Sequence, residues 1–146
     1  MKIGLSFKSA QSGFFDRKSV KRAVDKTSRR ILSRFGAFVR QTARSSIRRR
    51  KSISRPGQPP TSWTGLLKKF LFFSFDHERR SVVIGPVRLN KSSGEAPSLL
   101  EHGGSAQRTD RRGKRRRVTY ESRPYMGPAF EKELPKLPEM WRDSVR

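Results

Sequence analysis

Arginine and lysine form the two groups of side chains in this sequence whose type and spacing suit a chemical task. The first is the run Arg48, Arg49, Arg50 and Lys51, and the second comprises Arg108, Arg111, Arg112, Lys114, Arg115, Arg116 and Arg117. Guanidinium and ammonium groups bind phosphate oxygens and carboxylates. Aromatic residues are absent from both groups, so stacking on bases is not indicated. We therefore expect any contact with nucleic acid to be made to the phosphate backbone.

Residues suited to catalysis or metal binding are few. The chain has no cysteine, and neither of its two histidines, His77 and His102, has a second histidine at ligand spacing. No phosphate-cradling glycine loop, nucleophile motif or carboxylate cluster is present. Glu101 has the most distinctive setting of the acidic residues, and we expect it to form a structural salt bridge with a neighbouring arginine. The sequence predicts a protein that is not an enzyme and uses neither a metal nor a cofactor.

The net charge of the chain indicates an anionic partner. Lysine and arginine number 35 against 12 aspartates and glutamates, which gives a formal charge of +23. A field of this strength attracts polyanions and makes copies of the protein repel one another at low salt. Nucleic acid and an acidic protein surface both fit it. The sequence shows neither an apolar signal run at its start nor an apolar run long enough to span a bilayer, so we expect a soluble protein made in a cytoplasm.

The cations must be positioned by a single domain, because 146 residues of which 32% are hydrophobic supply one modest core. Alternating apolar residues at 3–7 predict a strand within the N-terminal segment 1–15. A long helix over 16–48 follows, with Asp16 as its N-cap and Gly36 as a weak point that costs about 1 kcal/mol. The apolar stripe of this helix consists of Val20, Val24, Thr27, Ile31, Phe35, Phe38 and Thr42.

Residues 49–63 predict a proline-rich linker, because Pro56, Pro59 and Pro60 cannot continue a helix. The basic run at its start fits equally well a helix end that complements the helix dipole and a mobile arm. Beyond the linker, residues 70–75 and 81–84 predict a hairpin at the centre of a sheet, whose first strand is expected to be buried on both faces.

The last third of the chain predicts shorter elements. A helix over 96–102 ends at a glycine pair. Residues 105–117 contain one apolar residue, Ala106, and therefore predict a long, mobile basic loop. A strand over 118–121, a helix that starts near Pro128 and a last helix over 139–145 complete residues 64–146. The predicted fold class is α+β, with the long N-terminal helix packed on a small antiparallel sheet and with short C-terminal helices.

Four short motifs occur in a fixed order in the second half of the chain. They are Thr64-Gly65 with Leu67-Lys68, Ile84-Gly85-Pro86, Leu100-Glu101-His102-Gly103, and Arg123-Pro124-Tyr125-Met126 with Pro128-Ala129. In this order and spacing they resemble the neck or tail-completion proteins of tailed bacteriophages, over about residues 17–142. The motif residues that the resemblance marks as structural are Thr64, Gly65, Leu67, Gly85, Pro86, Glu101, Gly103, Arg123, Pro124 and Pro128.

The resemblance implies a structural virion protein that forms a ring, most often of six copies, and joins the DNA-filled head to the tail. It implies as partners further copies of the chain and the adjoining head-closure, connector, tail-terminator or tail-tube proteins, and it leaves contact with packaged DNA open. The protein would lie in the virion neck, and in the host cytoplasm during assembly, with no membrane or small-molecule partner. The alternative is a stand-alone basic protein that binds nucleic acid through its phosphates without sequence preference.

Overall fold

The chain folds as a long helix followed by two strand pairs and short helices, in a computed structural model that describes residues 16–87, 96–110, 112–142 and 144. Its elements are α1 (Arg17–Ser46), α2 (Leu66–Lys69), β1 (Leu71–Asp76), β2 (Ser81–Pro86), α3 (Ala96–His102), β3 (Gly104–Thr109), β4 (Arg115–Tyr120), α4 (Met126–Glu133), a 3₁₀ turn (Leu134–Lys136) and α5 (Leu137–Arg142). This architecture confirms the predicted α+β class. The strand predicted over residues 3–7 lies outside the described residues.

Helix α1 begins at its predicted cap. The Asp16 carboxylate accepts hydrogen bonds from the backbone N–H groups of Lys18 and Ser19 at 3.0 and 3.2 Å, which satisfies two of the donors that a helix start leaves unpaired. The helix ends at Ser46, after which the backbone becomes extended. Its buried line recurs every four residues and consists of Ile31, Phe35, Val39 and Ala43, continued by Ile47 beyond the helix end.

The N-terminal half of the predicted apolar stripe is not buried. Val20 and Val24 are 48% and 54% exposed, although they share the periodicity of the buried residues. The buried core cluster starts at Phe35 and lies against the C-terminal half of α1. The apolar pattern therefore extends beyond the elements that cover the helix.

Gly36 lies where the β1–β2 pair comes closest to α1. A Cβ atom added to it would lie 2.7 Å from Val82 Cγ2 and 3.1 Å from Phe73 Cδ2. A contact of 2.7 Å is too short for real carbon atoms and one of 3.1 Å is tight, so the strands reach this depth because the residue has no side chain. The position predicted as a weak point of the helix is thus a packing contact between the helix and the sheet.

Strands β1 and β2 form an antiparallel pair that aligns Phe73 with Ile84 and Phe75 with Val82. Side chains directly opposite one another share a face of the sheet, and this face packs on α1. Phe72, on the other face, is 46% exposed, so the expectation that β1 is buried on both faces is wrong. The pair is not the centre of a larger sheet either, because the described strands form two separate two-stranded sheets.

The C-terminal helices cover the same helix from another direction. The rings of Phe35 in α1 and Phe130 in α4 meet edge to face, with centroids 5.7 Å apart. The buried Glu133 carboxylate accepts a hydrogen bond from Thr42 Oγ1 at 2.6 Å and another from Lys136 Nζ. The aromatic contact and the bond from Thr42 therefore hold α4 against α1, whereas the bond from Lys136 joins α4 to the 3₁₀ turn that follows it.

The proline-rich segment predicted as a linker is packed against the second half of the chain. The backbone N–H of Gly57 donates to the Ser122 carbonyl at 2.9 Å, and Arg123 Nε donates to the Ser54 carbonyl at 3.0 Å. Pro60 is fully buried. The segment is a fixed loop, and neither a helix end nor a mobile arm describes the basic run at its start.

Candidate nucleic-acid and partner interface

Residues 105–117, predicted as a mobile loop, belong instead to β3, β4 and the turn between them. The strands pair antiparallel from Gly104 opposite Tyr120 to Thr109 opposite Arg115. We name residues 104–120 the basic ribbon. The prediction was wrong because strand pairing satisfies backbone hydrogen bonds without a core, so the lack of apolar residues does not exclude a ribbon.

An aspartate and a glycine hold the turn of the basic ribbon. The Asp110 carboxylate accepts the backbone N–H groups of Arg112 and Lys114 at 2.9 and 3.0 Å, and Gly113 has a φ of +77°. Asp followed three residues later by Gly is a turn signal, and it is the feature of the sequence from which the hairpin could have been predicted. Arg111 lies outside the described residues.

The two faces of the basic ribbon differ in composition and in cover. The first, named the polar face, is exposed throughout and consists of Ser105, Gln107, Thr109, Arg115, Arg117 and Thr119. The second, named the α3 face, consists of Gly104, Ala106, Arg108, Arg116, Val118 and Tyr120. Helix α3 covers the base of the α3 face, where Leu99 Cδ2 lies 3.2 Å from the Cβ position of Gly104. Ala106, Val118 and Tyr120 are half-buried there.

The cations of the basic ribbon have no acidic partner among the described residues. The two ion pairs found there, Arg80 with Asp25 and Lys136 with Glu133, lie elsewhere. Asp110, the one acidic residue of the ribbon, is engaged by backbone N–H groups. Moreover, Arg108 and Arg116 lie directly opposite each other, and like charges in this position destabilise a strand pair. The arrangement favours an external anion.

The Arg48–Lys51 run, predicted as a second set of contacts, is divided between two sides of its loop. Arg49 Nε donates to the Trp63 carbonyl at 3.4 Å, and Lys51 Nζ lies 4.5 Å from the centre of the Trp63 ring. Arg48 and Arg50 instead line a cavity of about 540 Å³, together with Arg55. Half of the run therefore holds Trp63, and half remains available for an anion.

Among the described residues, the Arg48–Lys51 run and the cations of the basic ribbon do not form one site. The cavity at Arg48 and Arg50 is lined only by residues between 45 and 61, whereas the basic ribbon contacts chiefly itself and α3. Ser54 Oγ, at the wall of the cavity, is buried without a hydrogen-bond partner. The ribbon presents the more open and more strongly charged surface of the two.

Glu101 does not form the predicted salt bridge with an arginine. Its carboxylate accepts three backbone N–H groups at the start of α4, from Tyr125 at 2.9 Å, Met126 at 3.0 Å and Gly127 at 2.7 Å. A carboxylate at a helix N-terminus accepts hydrogen bonds from N–H groups that have no partner within the helix, and its negative charge is stabilised by the positive end of the helix dipole. Glu101 therefore fastens α3 to α4. Burial, and secondarily the charge of Glu101, raise the pKa of the Tyr125 phenol to about 12.

The remaining motif residues also fix the course of the backbone, through hydrogen bonds and turn conformations. Arg123 donates to the carbonyls of Ser54 and Glu121, which joins the proline-rich loop to the segment before α4. Gly103 has a φ of +75°, and a Cβ there would lie 3.1 Å from the Tyr120 carbonyl oxygen. The others lie at the start of α2 (Thr64, Gly65, with Leu67 buried), at the end of β2 (Gly85, Pro86) and around the first turn of α4 (Pro124, Pro128).

The described residues contain neither a cluster of metal ligands nor a membrane-spanning helix. Within the described residues, no three acidic or histidine side chains come together as a metal site would require. His77 lies in the β1–β2 turn with its ring edge-on to Phe75. No helix in the described part of the chain has the length and apolar character of a membrane span. Comparison with models of protein families, with curated proteins and with solved structures finds no match to this chain.

Proposed function

We propose that this protein is a structural component of the neck of a tailed bacteriophage, where it forms a ring that completes the tail and joins it to the DNA-filled head. The proposal rests first on the resemblance of the four ordered motifs. Their residues act as helix starts, strand ends and latches, as Glu101 and Gly103 illustrate. Such roles fix the position of the backbone and carry no reaction chemistry, which is compatible with a component whose purpose is shape.

The observation that carries the proposal is the uncovered basic ribbon. A two-stranded ribbon without further cover is marginally stable in water, and this one places Arg108 opposite Arg116. In its outer half, residues 107–109 and 112–117 are all exposed. A ribbon of this kind is best explained by a neighbour that supplies negative charge and cover, as adjoining rings or enclosed DNA would in a neck.

Particles assembled without the chain test the proposal. We expect filled heads and separate tails to accumulate, and addition of the purified protein to restore joined particles, as counted by electron microscopy. Normal joined particles in its absence would refute a neck function.

The charge of the chain adds a test in solution. Each copy carries +23, so ring closure at low ionic strength opposes a strong repulsion that salt or an acidic neighbour would screen. We expect light scattering to show monomers in a few millimolar salt and larger species when salt or a neck partner is added. A stable ring in a few millimolar salt would contradict this expectation.

A second candidate function, stand-alone binding of nucleic acid, is favoured by the exposed polar face. The two functions are separated by a variant in which a short linker replaces residues 105–119. The fold should survive, because no residue of this range belongs to the buried core. A neck protein so changed fails in head–tail joining, whereas a stand-alone binder shows its main defect in affinity for nucleic acid and leaves joining intact.

A further inference from the structure

The polar face of the basic ribbon is open along its full length, whereas the α3 face is not. Helix α3 occupies the base of the latter, next to Gly104. A partner as thick as a nucleic-acid duplex is therefore obstructed on the α3 face. It meets no such obstacle over Ser105, Gln107, Thr109, Arg115, Arg117 and Thr119, all of which are exposed.

The dimensions of the ribbon match a groove of duplex DNA. Each strand has six residues, which at the usual rise makes the ribbon about 20 Å long, with strands about 4.8 Å apart. The major groove is about 12 Å wide and admits a two-stranded ribbon. The turn cations Arg112 and Lys114 are exposed and lie beyond the ends of the two strands.

The chemistry of the polar face is that of a phosphate-binding surface. It carries hydroxyl, amide and guanidinium donors and no carboxylate. Within the described residues its one side-chain hydrogen bond joins Ser105 Oγ and Thr119 Oγ1 at 3.3 Å, so Gln107, Arg115 and Arg117 keep their donors for a partner. Guanidinium groups in a fixed geometry are well suited to phosphate oxygens.

We propose that the polar face of the basic ribbon lies in the major groove of duplex DNA, with Arg115 and Arg117 on its phosphates. This inference deepens the proposed function by naming what the ribbon touches. A protein partner is disfavoured because the polar face, apart from its two arginines, offers no tryptophan, tyrosine or aliphatic side chain to fill a pocket at the centre of a protein interface. Single-stranded nucleic acid is disfavoured because no aromatic ring is available there for base stacking.

Two arginine pairs of equal charge, on opposite faces of the same ribbon, test the inference. Titrations of a labelled 20-base-pair duplex, followed by fluorescence anisotropy between 50 and 300 mM salt, would compare R115Q/R117Q with R108Q/R116Q. An equally charged control on α1, R22Q/R29Q, accounts for the overall field. We expect R115Q/R117Q to weaken binding roughly 10- to 100-fold at 100 mM salt and to lower the slope of log K against log salt by about 2. The other two variants should lose several-fold less affinity.

Equal losses for all three variants would show that only the net charge matters and would overturn the inference. Tighter binding of polyglutamate or of single-stranded DNA than of the duplex would overturn it as well. Amide chemical shifts of the ribbon in each variant confirm that the strands still pair. The neck function is tested separately. If R115Q/R117Q binds the duplex normally and the chain is required for head–tail joining, only this inference is refuted. If the chain is dispensable for joining, only the neck function is refuted.

Discussion

Glu101 Oε1 accepts a hydrogen bond from the backbone N–H of Gly127 at 2.7 Å, across 26 residues of chain. Together with the bonds from the two preceding N–H groups, it fastens the end of α3 to the start of α4. The basic ribbon leaves the fold directly after α3 and returns just before α4. This one carboxylate therefore fixes the base from which the ribbon projects.

Replacement of Glu101 by glutamine should destabilise the protein. The amide retains one acceptor oxygen and loses the charge that three N–H groups share, and hydrogen bonds to a charged group contribute about 1.5–3 kcal/mol. We expect the free energy of unfolding, measured in urea, to fall by about 2 kcal/mol. Glu121→Gln makes the same change of charge at an exposed position and should have little effect. A similar loss in both variants would show that Glu101 acts only through the net charge.

Gly36→Ala tests the contact between α1 and the β1–β2 pair. In an open helix this change stabilises by about 1 kcal/mol. Here the new Cβ would lie 2.7 Å from Val82 Cγ2, so we expect a loss of about 1–3 kcal/mol from overpacking. Adding Val82→Ala should recover part of that loss, which a double-mutant cycle would measure. Gly85→Ala, where nothing lies within 4 Å, is the control. Equal effects of the two glycine substitutions would argue against the close contact.

Local signals explain which parts of the fold were predicted. The start of α1 follows from Asp16 and its end from the loss of helical pattern near Ile47, because both depend on neighbours within one turn. The end of β4 agrees with the strand predicted over 118–121, whereas the rest of the basic ribbon was missed because it lacks apolar alternation and depends on cross-strand pairing. Exposure of Val24 was missed because periodicity shows which residues share a face of a helix, and not which part of that face is covered.

The partners of the site residues were the least predictable feature. The capping bond between Glu101 and an N–H group 26 residues away leaves no signal in the sequence around Glu101. In a chain with so many arginines, a salt bridge with one of them was therefore expected. The division of the basic run at Trp63 likewise depends on where the loop returns. Which side chains carry charge could be predicted, whereas which of them remain available could not.

The acid limb of the stability curve should depend on Glu133. Hydrogen bonds from Lys136 and Thr42 hold the pKa of this buried carboxyl below its ordinary value of 4.5. A lowered pKa in the folded state stabilises the protein above the unfolded-state pKa, and that contribution is lost as the pH falls through the folded-state value. We expect Glu133→Gln to flatten the dependence of stability on pH below about 4.5, and Thr42→Val to shift its midpoint upward. An unchanged acid limb in Glu133→Gln, measured against the exposed control Glu131→Gln, would contradict this.

Asp110→Ala should loosen the basic ribbon and leave the rest of the fold intact. The substitution removes the acceptor for the N–H groups of Arg112 and Lys114, and the loss of a side-chain cap of this kind costs about 0.5–2 kcal/mol. We expect amide hydrogen exchange in β3 and β4 to accelerate at least about 10-fold, because opening of the ribbon becomes easier. Amides of α1 and the global free energy of unfolding should change little.

The hairpin of β1 and β2 provides a matched comparison for that experiment. Asp76 accepts the N–H groups of Glu78 and Arg79 at 3.0 and 3.1 Å, the same cap on a turn whose strands pack on α1. Asp76→Ala should therefore lower the global stability by about 1 kcal/mol or more, since its strands belong to the core and do not open alone. If Asp110→Ala lowered global stability by as much, the ribbon would unfold together with the core, and its description as a separately opening unit would have to be rejected.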